Sequence, residues 1–333
     1  MNLYDLKHKK MLVIGDIMVD DFIFGTAAPE YRLSPEAPVP VVRTCSSVQK
    51  LGGACNVASN LRSLGCSVDI CGLVGEDKEG KLCVHMLEDM SISTSRLVYC
   101  QNPTIVKTRV ICDNQHVVRL DREEEFSKKY SSDLVNKLTN NTNYDAVIVS
   151  DYSKGTITNN LMDFIKDHFR EIMVLVDPKP DSGDKIDLYR GVTAVTPNLR
   201  EARMLVKNEN ISPEMAARQL LKLLDCEFVV ITLSEKGLLV ACGDEITHIP
   251  AYLVPLDHER PQKRDVTGAG DTIISTLSAF LSLGFSRCRS LAMANIAAAI
   301  VVNKMGTATC TLSELQEEIE HAEKMAANFC GTD

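Results

Sequence analysis

Apolar residues along this chain fall into short continuous runs separated by segments of helical period. Runs at 11–14, 68–74, 146–149, 173–176, 192–195 and 228–232 have the length of strands and little polar alternation. A strand apolar on both sides is covered on both faces, as in a parallel sheet. Between the runs, Val57, Leu61 and Leu64 recur at helical spacing, with Gly65 placed to follow the C-cap. Leu82, Cys83, Met86, Leu87 and Met90 mark a second helix. Further helices are predicted near 159–169, 198–206 and 213–224, the last with Ser212 as N-cap and Pro213 at its first position. The pattern predicts a three-layer α/β/α fold around a mostly parallel central sheet.

Two stretches break that rhythm. Residues 20–43 carry β-rich pieces, Phe22-Ile23-Phe24 and Val39 to Val42, around the run Ser34-Pro35-Glu36-Ala37-Pro38-Val39-Pro40. Residues 104–121 read as a hairpin, with Ile105-Val106 and Val117-Val118 flanking Asp113-Asn114-Gln115. Neither contains a helical crossover, so both are expected to form a small β-sheet, a lid built from about 17–44 and 100–122. Such a lid would lie over the carboxyl ends of the parallel strands, where α/β folds bind ligands. After Thr311 the chain predicts a polar, acidic helix from Ser313, with Glu314, Glu317, Glu318 and Glu320 on a solvated face. With no repeat and no long linker, a single domain over 1–333 is expected.

Composition narrows the function classes. A chain of 333 residues that is 45% hydrophobic and 24% charged is globular rather than disordered or fibrous. The net charge of −9, without a Lys/Arg-rich run, argues against a nucleic-acid partner, since that binding neutralises many phosphates. The 12 cysteines include no C-x-x-C pair and read as reduced thiols. The run at 11–14 is too short for a signal peptide, and the apolar stretch 291–302 contains Asn295 and is too short for a bilayer. A cytoplasmic protein with no membrane partner is expected.

The strongest chemical signal is Asp265-Val266-Thr267-Gly268-Ala269-Gly270-Asp271, followed by an apolar helix that Gly284 closes. Small residues at a helix start leave backbone amides bare, and with the helix dipole they form an anion site. A carboxylate there, Asp271, fits a base that takes a proton while Gly268, Ala269 and Gly270 hold a phosphoryl group. No Walker-type G-x-x-x-x-G-K-[ST] and no G-x-G-x-x-G after the first strand exists, which sets aside P-loop and dehydrogenase chemistry. Gly52 and Gly53 precede a helix carrying Asn56, suited to sugar hydroxyls, and Asp16 ends the first strand. Asn198 and Glu201 share one helical face, an oxygen pair suited to Mg²⁺ and its waters.

Gly52-Gly53-x-x-Asn56, Asn198-x-x-Glu201 and Asp265-x-Thr267-Gly268-Ala269-Gly270-Asp271 together resemble the ribokinase-like (PfkB) carbohydrate kinases over nearly the whole chain. The resemblance implies a ribokinase-like fold with a β-lid that makes a homodimer, ATP and Mg²⁺ as cofactors, and γ-phosphate transfer to a sugar hydroxyl. It implies Asp271 as base, an anion hole at 268–270, and Asn198 and Glu201 serving the Mg²⁺–phosphate region. It further implies nucleotide contacts from Thr232, Ser234 and Gly237, sugar contacts from Asp16, Gly52, Gly53 and Asn56, and a monovalent cation near Asp265 and Thr267.

A finer resemblance joins Arg32-Leu33 and the Ser34–Pro40 run with Ser150-Asp151-Tyr152-Ser153-Lys154-Gly155, Asp177-Pro178-Lys179 and Thr196-Pro197-Asn198-Leu199. It points to the D-glycero-β-D-manno-heptose 7-phosphate kinases, which phosphorylate the anomeric hydroxyl to the 1,7-bisphosphate on the way to ADP-heptose and lipopolysaccharide. The distal phosphate of such a sugar needs cations, and Arg32, Lys107, Arg109, Lys154 and Lys179 are candidates. Many of these kinases carry a second, nucleotidyl-transferring domain with an H-x-G-H motif. None of the seven histidines lies in one, so the chain is expected to be a kinase alone or half of a longer product. Cys55 departs from the usual Ala of that group, and 256–264 is unusually charged. The alternatives are a kinase for ribose or fructose 6-phosphate, or a non-catalytic sugar-nucleotide-binding regulator.

Overall fold

The computed structural model describes residues 2–26, 41–113, 115–140, 143–254 and 265–330, with side chains of the last helix as far as residue 322. Its frame is a nine-stranded sheet. From edge to edge the strands are Glu245–Ile249, Leu238–Cys242, Phe228–Thr232, Ala194–Val195, Met173–Pro178, Ala146–Asp151, Lys10–Gly15, Ser67–Gly75 and Ser93–Cys100. Pairing is parallel from Phe228–Thr232 to Ser93–Cys100, while Leu238–Cys242 runs antiparallel to both neighbours. The first strand lies inside the sheet, so the chain winds outward in both directions from it. That is the switch point at which open α/β sheets form their crevice.

Strand periodicity sorts the core into two layers. Met11 and Val13 face a cluster that includes the helices Ala54–Ser63, Ala269–Ser282 and Arg287–Val302. Leu12 and Ile14 face the opposite cluster, with Ser131–Leu138, Asn159–His168, Leu199–Leu205 and Pro213–Leu224. The fold is the three-layer α/β/α arrangement around a mostly parallel sheet that the apolar runs predict.

A second, four-stranded sheet stands beside it in the order Arg43–Gly53, Ile17–Thr26, Ile105–Cys112, Gln115–Arg122. It is antiparallel except at its middle pairing, Ile17–Thr26 with Ile105–Cys112. Its root is buried through Ile17, Met18 and Leu51, whereas Val117, Val118 and Leu120 are 41%, 46% and 58% exposed. The observed third strand begins at Arg43, after the apolar 39–42 segment expected to carry it, and 27–40 lies outside the described residues.

The acidic helix expected from Ser313 is present, and it also contributes to the core. In Leu312–Cys330, Leu315 is fully buried and Leu312 and Ile319 pack on the same cluster, so one face of the helix completes the core. Cys55, Cys66, Cys71 and Cys83 are fully buried free thiols. Among the described residues no helix is long and apolar enough to cross a membrane.

Candidate active site

The carboxyl ends of the parallel strands open into a cavity of about 490 Å³. It brings together Asn198, Glu201, Thr232, Ser234, Gly237 and the turn at 268–271. All of the residues expected at the nucleotide, and all of those expected at the phosphoryl group, therefore meet in one space.

Gly268 is the N-cap of Ala269–Ser282, at φ 82°, a conformation that costs glycine little. A Cβ there would lie 2.7 Å from Asn56 Nδ2. The Ala269 amide donates to the Val266 carbonyl at 3.2 Å. At Gly270 an added Cβ would meet no atom within 4 Å, so open space lies beside that Cα.

Asp271 sits in the first turn and is 3% exposed. Its Oδ2 accepts from Asn56 Nδ2 at 2.8 Å, and its Oδ1 accepts from Tyr152 Oη at 3.1 Å. Lys179 Nζ stands 3.9 Å from Oδ1. Burial pushes the Asp271 carboxyl up to about 6; Lys179 pulls against that shift, and Asp177 adds to it. The result is a carboxylate that holds a proton more readily than a surface aspartate, the property a general base near neutral pH requires.

Helix packing sets this geometry. Where Ala269–Ser282 packs on Ala54–Ser63, Thr272 Oγ1 lies 3.2 Å from Asn60 Oδ1 and Ser275 Oγ 3.1 Å from the Val57 carbonyl, each hydroxyl shared with a carbonyl of its own helix, Gly268 or Asp271. Asn60 Nδ2 also donates to Asn56 Oδ1 at 3.3 Å, which turns the Asn56 amide nitrogen toward Asp271. Gly53, at φ 55°, makes the turn into that helix where a Cβ would strike the Asp16 carbonyl at 2.6 Å.

Asn198 and Glu201 form a capping box. Asn198 Oδ1 accepts from the Glu201 amide at 3.0 Å, and Glu201 Oε2 accepts from the Asn198 amide at 2.7 Å. Burial and then Asp177 push Glu201 up to about 7, against Lys179 and the Asn198 hydrogen bonds. A carboxylate crowded in this way gains from a nearby cation, and Oε1 is left outside the capping box. The pair therefore fits a hydrated divalent ion. Asp265 accepts from the amides of Thr267 and Gly306; these bonds outweigh its burial and hold it below the usual carboxylate range.

The sugar-side candidates are placed differently. Asp16 is fully buried and accepts from the amides of Tyr152, Lys154 and Thr156, so its carboxylate shapes the 152–156 loop rather than the cavity wall. Asn56, at 2% exposure, lies behind Asp271. Lys107 and Lys154 converge on Glu123, and Arg109 pairs with Asp20. Lys179 instead lines the cavity with Asp271. Arg32 lies outside the described residues, as does the charged segment 256–264.

Tyr152 and Asp177 line the cavity without having been given a role from sequence, although both lie in runs that carry the finer resemblance; Asp20, outside the cavity, was not singled out. Asp20 is 3% exposed, and a Cβ at Gly52 would lie 2.6 Å from its Oδ2, so Gly52 leaves room for that carboxylate. Position was a further signal, since Asp177 and Tyr152 each stand at or just past the carboxyl end of a predicted strand.

Residues 8–314 match the family model described as pfkB family carbohydrate kinase. The chain is similar to the bifunctional protein HldE of Haemophilus influenzae strain PittEE, 39% identical over 319 residues that make up 95% of this chain and 64% of that protein. HldE of Histophilus somni strain 129Pt is 40% identical over 315 residues, covering 93% and 63%. The chain thus spans under two thirds of these relatives. In fold it is similar to ribokinase from Thermotoga maritima, with TM-score 0.72, 20% identity and coverage of 94% of this chain and 99% of that one. Phosphofructokinase-2 from Escherichia coli in complex with potassium gives 0.74, 18%, 93% and 97%.

Proposed function

The chain belongs to the pfkB family of carbohydrate kinases, and from that premise we propose that it transfers the γ-phosphoryl group of ATP to the anomeric hydroxyl of D-glycero-β-D-manno-heptose 7-phosphate. The observation that carries the proposal is the placement of Asp271. A buried carboxylate with a raised pKa stands at a helix N-terminus, in the same cavity as Asn198 and Glu201.

The acceptor hydroxyl takes the place of Tyr152 Oη at Asp271 Oδ1 and gives up its proton as its oxygen attacks the γ-phosphorus. Such base assistance is worth about 10²–10⁴ in rate. Charge on the phosphoryl oxygens is held by the backbone amides around Gly268 and Gly270 and by the helix dipole. Thr232, Ser234 and Gly237 line the nucleotide side. Glu201 and Asn198 would hold Mg²⁺ through water, and the ion supplies charge neutralisation at the phosphates. Asp265, held ionised beside Thr267, is the anchor proposed for a monovalent cation.

On the sugar side the proposed contacts are Asp20, whose carboxylate faces Gly52, with Lys107, Arg109 and Lys154 toward the distal phosphate. The four-stranded sheet acts as the lid of a single kinase domain. Its solvent-facing valines and leucine suit pairing with a second copy of the chain. The preference for heptose 7-phosphate rests on the Ser34–Pro40 and Asp177-Pro178-Lys179 runs. ATP consumption across heptose 7-phosphate, unphosphorylated heptose, ribose and fructose 6-phosphate tests it. The highest kcat/KM is expected on heptose 7-phosphate, and a higher value on either of the last two would replace this reading with another sugar kinase.

A further inference from the structure

Lys179 follows the strand Met173–Pro178 and projects into the cavity with 30% of its side chain exposed. Among the described residues that line the cavity it is the one cation, facing Asp177, Glu201, Glu235 and Asp271. Its ammonium pairs with Asp177, packs 4.0 Å over the Tyr152 ring and stands 3.9 Å from Asp271 Oδ1. Lys107 and Lys154, which share Glu123, do not line this space.

We propose that Lys179 is a catalytic residue that binds the phosphoryl group in flight, rather than a ligand for the distal phosphate of the sugar. The inference rests on the kinase reading and deepens it. An acceptor oxygen hydrogen-bonded to Asp271 lies about 3 Å from that carboxylate, and the phosphorus it attacks lies about 3 Å beyond. A cation 3.9 Å from Oδ1, on the cavity side, reaches the equatorial oxygens of that phosphorus. In the transfer the sugar oxygen bonds to the γ-phosphorus and the bond to the β,γ-bridging oxygen breaks. The electron pair leaves on ADP, and the sugar proton goes to Asp271. Lys179 keeps its own proton throughout. A triphosphate entering a cavity lined by four carboxylates also needs compensating charge, and this ammonium supplies it.

Asp177 and Tyr152 hold the side chain for this work. The ion pair sets the direction of the ammonium, and the aromatic face supports it by a cation–π contact.

The test compares Lys179→Gln with wild type in two assays. In turnover, kcat falls about 10²-fold or more, while KM for the sugar phosphate stays within about twofold. In equilibrium binding, a non-hydrolysable ATP analogue weakens about tenfold while ADP is unaffected, because only the analogue carries a γ-phosphate. Should the lone change unfold the protein by stranding Asp177, the double variant Asp177→Asn/Lys179→Gln removes both partners of that pair and carries the same two readouts. A raised sugar-phosphate KM with kcat kept, or equal effects on ADP and the analogue, overturns the assignment. Wild-type protein that binds neither nucleotide removes the kinase reading itself, and the inference with it.

Discussion

Asn56 and Asp271, 215 positions apart, meet at 2.8 Å, the Asn56 amide nitrogen donating to the carboxylate Oδ2. This bond favours the ionised carboxylate against a burial that favours its protonated form. Asn56→Ala therefore moves the Asp271 pKa further up. The acid limb of the kcat/KM profile should shift to higher pH, and turnover at neutral pH should fall roughly tenfold, the worth of one hydrogen bond to a charged group. A pH–rate series on the two proteins checks both effects.

The two turn glycines should behave differently. Gly268→Ala puts a Cβ 2.7 Å from Asn56 Nδ2 at φ 82°, and is expected to destabilise the protein by about 1–3 kcal/mol. Gly270→Ala meets no atom within 4 Å, so thermal unfolding should be nearly unchanged. Its methyl group fills space proposed for the phosphoryl group, so turnover should drop all the same.

Asp271 also makes stability depend on pH. Its folded pKa, about 6, lies above the ordinary 3.8, so the native state favours the protonated form. That contribution is complete below the unfolded value and is lost as pH rises through about 6. Asp271→Asn keeps an acceptor for Asn56, and the Tyr152 hydroxyl can turn to accept from the new amide. In urea denaturation the variant should be more stable than wild type at pH 7.5, by on the order of 1–3 kcal/mol, with the difference shrinking toward pH 4.

Lys107, from the strand Ile105–Cys112, and Lys154, from the 152–156 loop, share Glu123, an arrangement in which a phosphate dianion can take the carboxylate's place. Replacing either lysine with alanine should raise KM for the phosphorylated sugar about tenfold while sparing kcat. Turnover of the unphosphorylated sugar should not change.

Much of the fold was legible because strands buried on both faces leave unbroken apolar runs, as in Met173–Pro178 and Phe228–Thr232. Glu245–Ile249 was not, since an edge strand with Thr247 and His248 among its five residues carries no such run. The acidic tail helix was legible but its buried stripe was not, because the glutamates around Leu315 mask it. At the site, the glycine turn and Asp271 announce themselves locally. Tyr152 reaches Asp271 across 119 positions of sequence, and Asp177 and Lys179 join it only because neighbouring strands end at one level. Asp16 stands at the expected strand end, yet the loop beside it offers three amides that claim its carboxylate.

The most direct test of the account is turnover by Asp271→Asn with MgATP and heptose 7-phosphate, measured alongside nucleotide affinity. The account predicts unchanged ATP binding and a rate at least about 10²-fold below wild type. A variant that still makes the bisphosphate at close to the wild-type rate would contradict it.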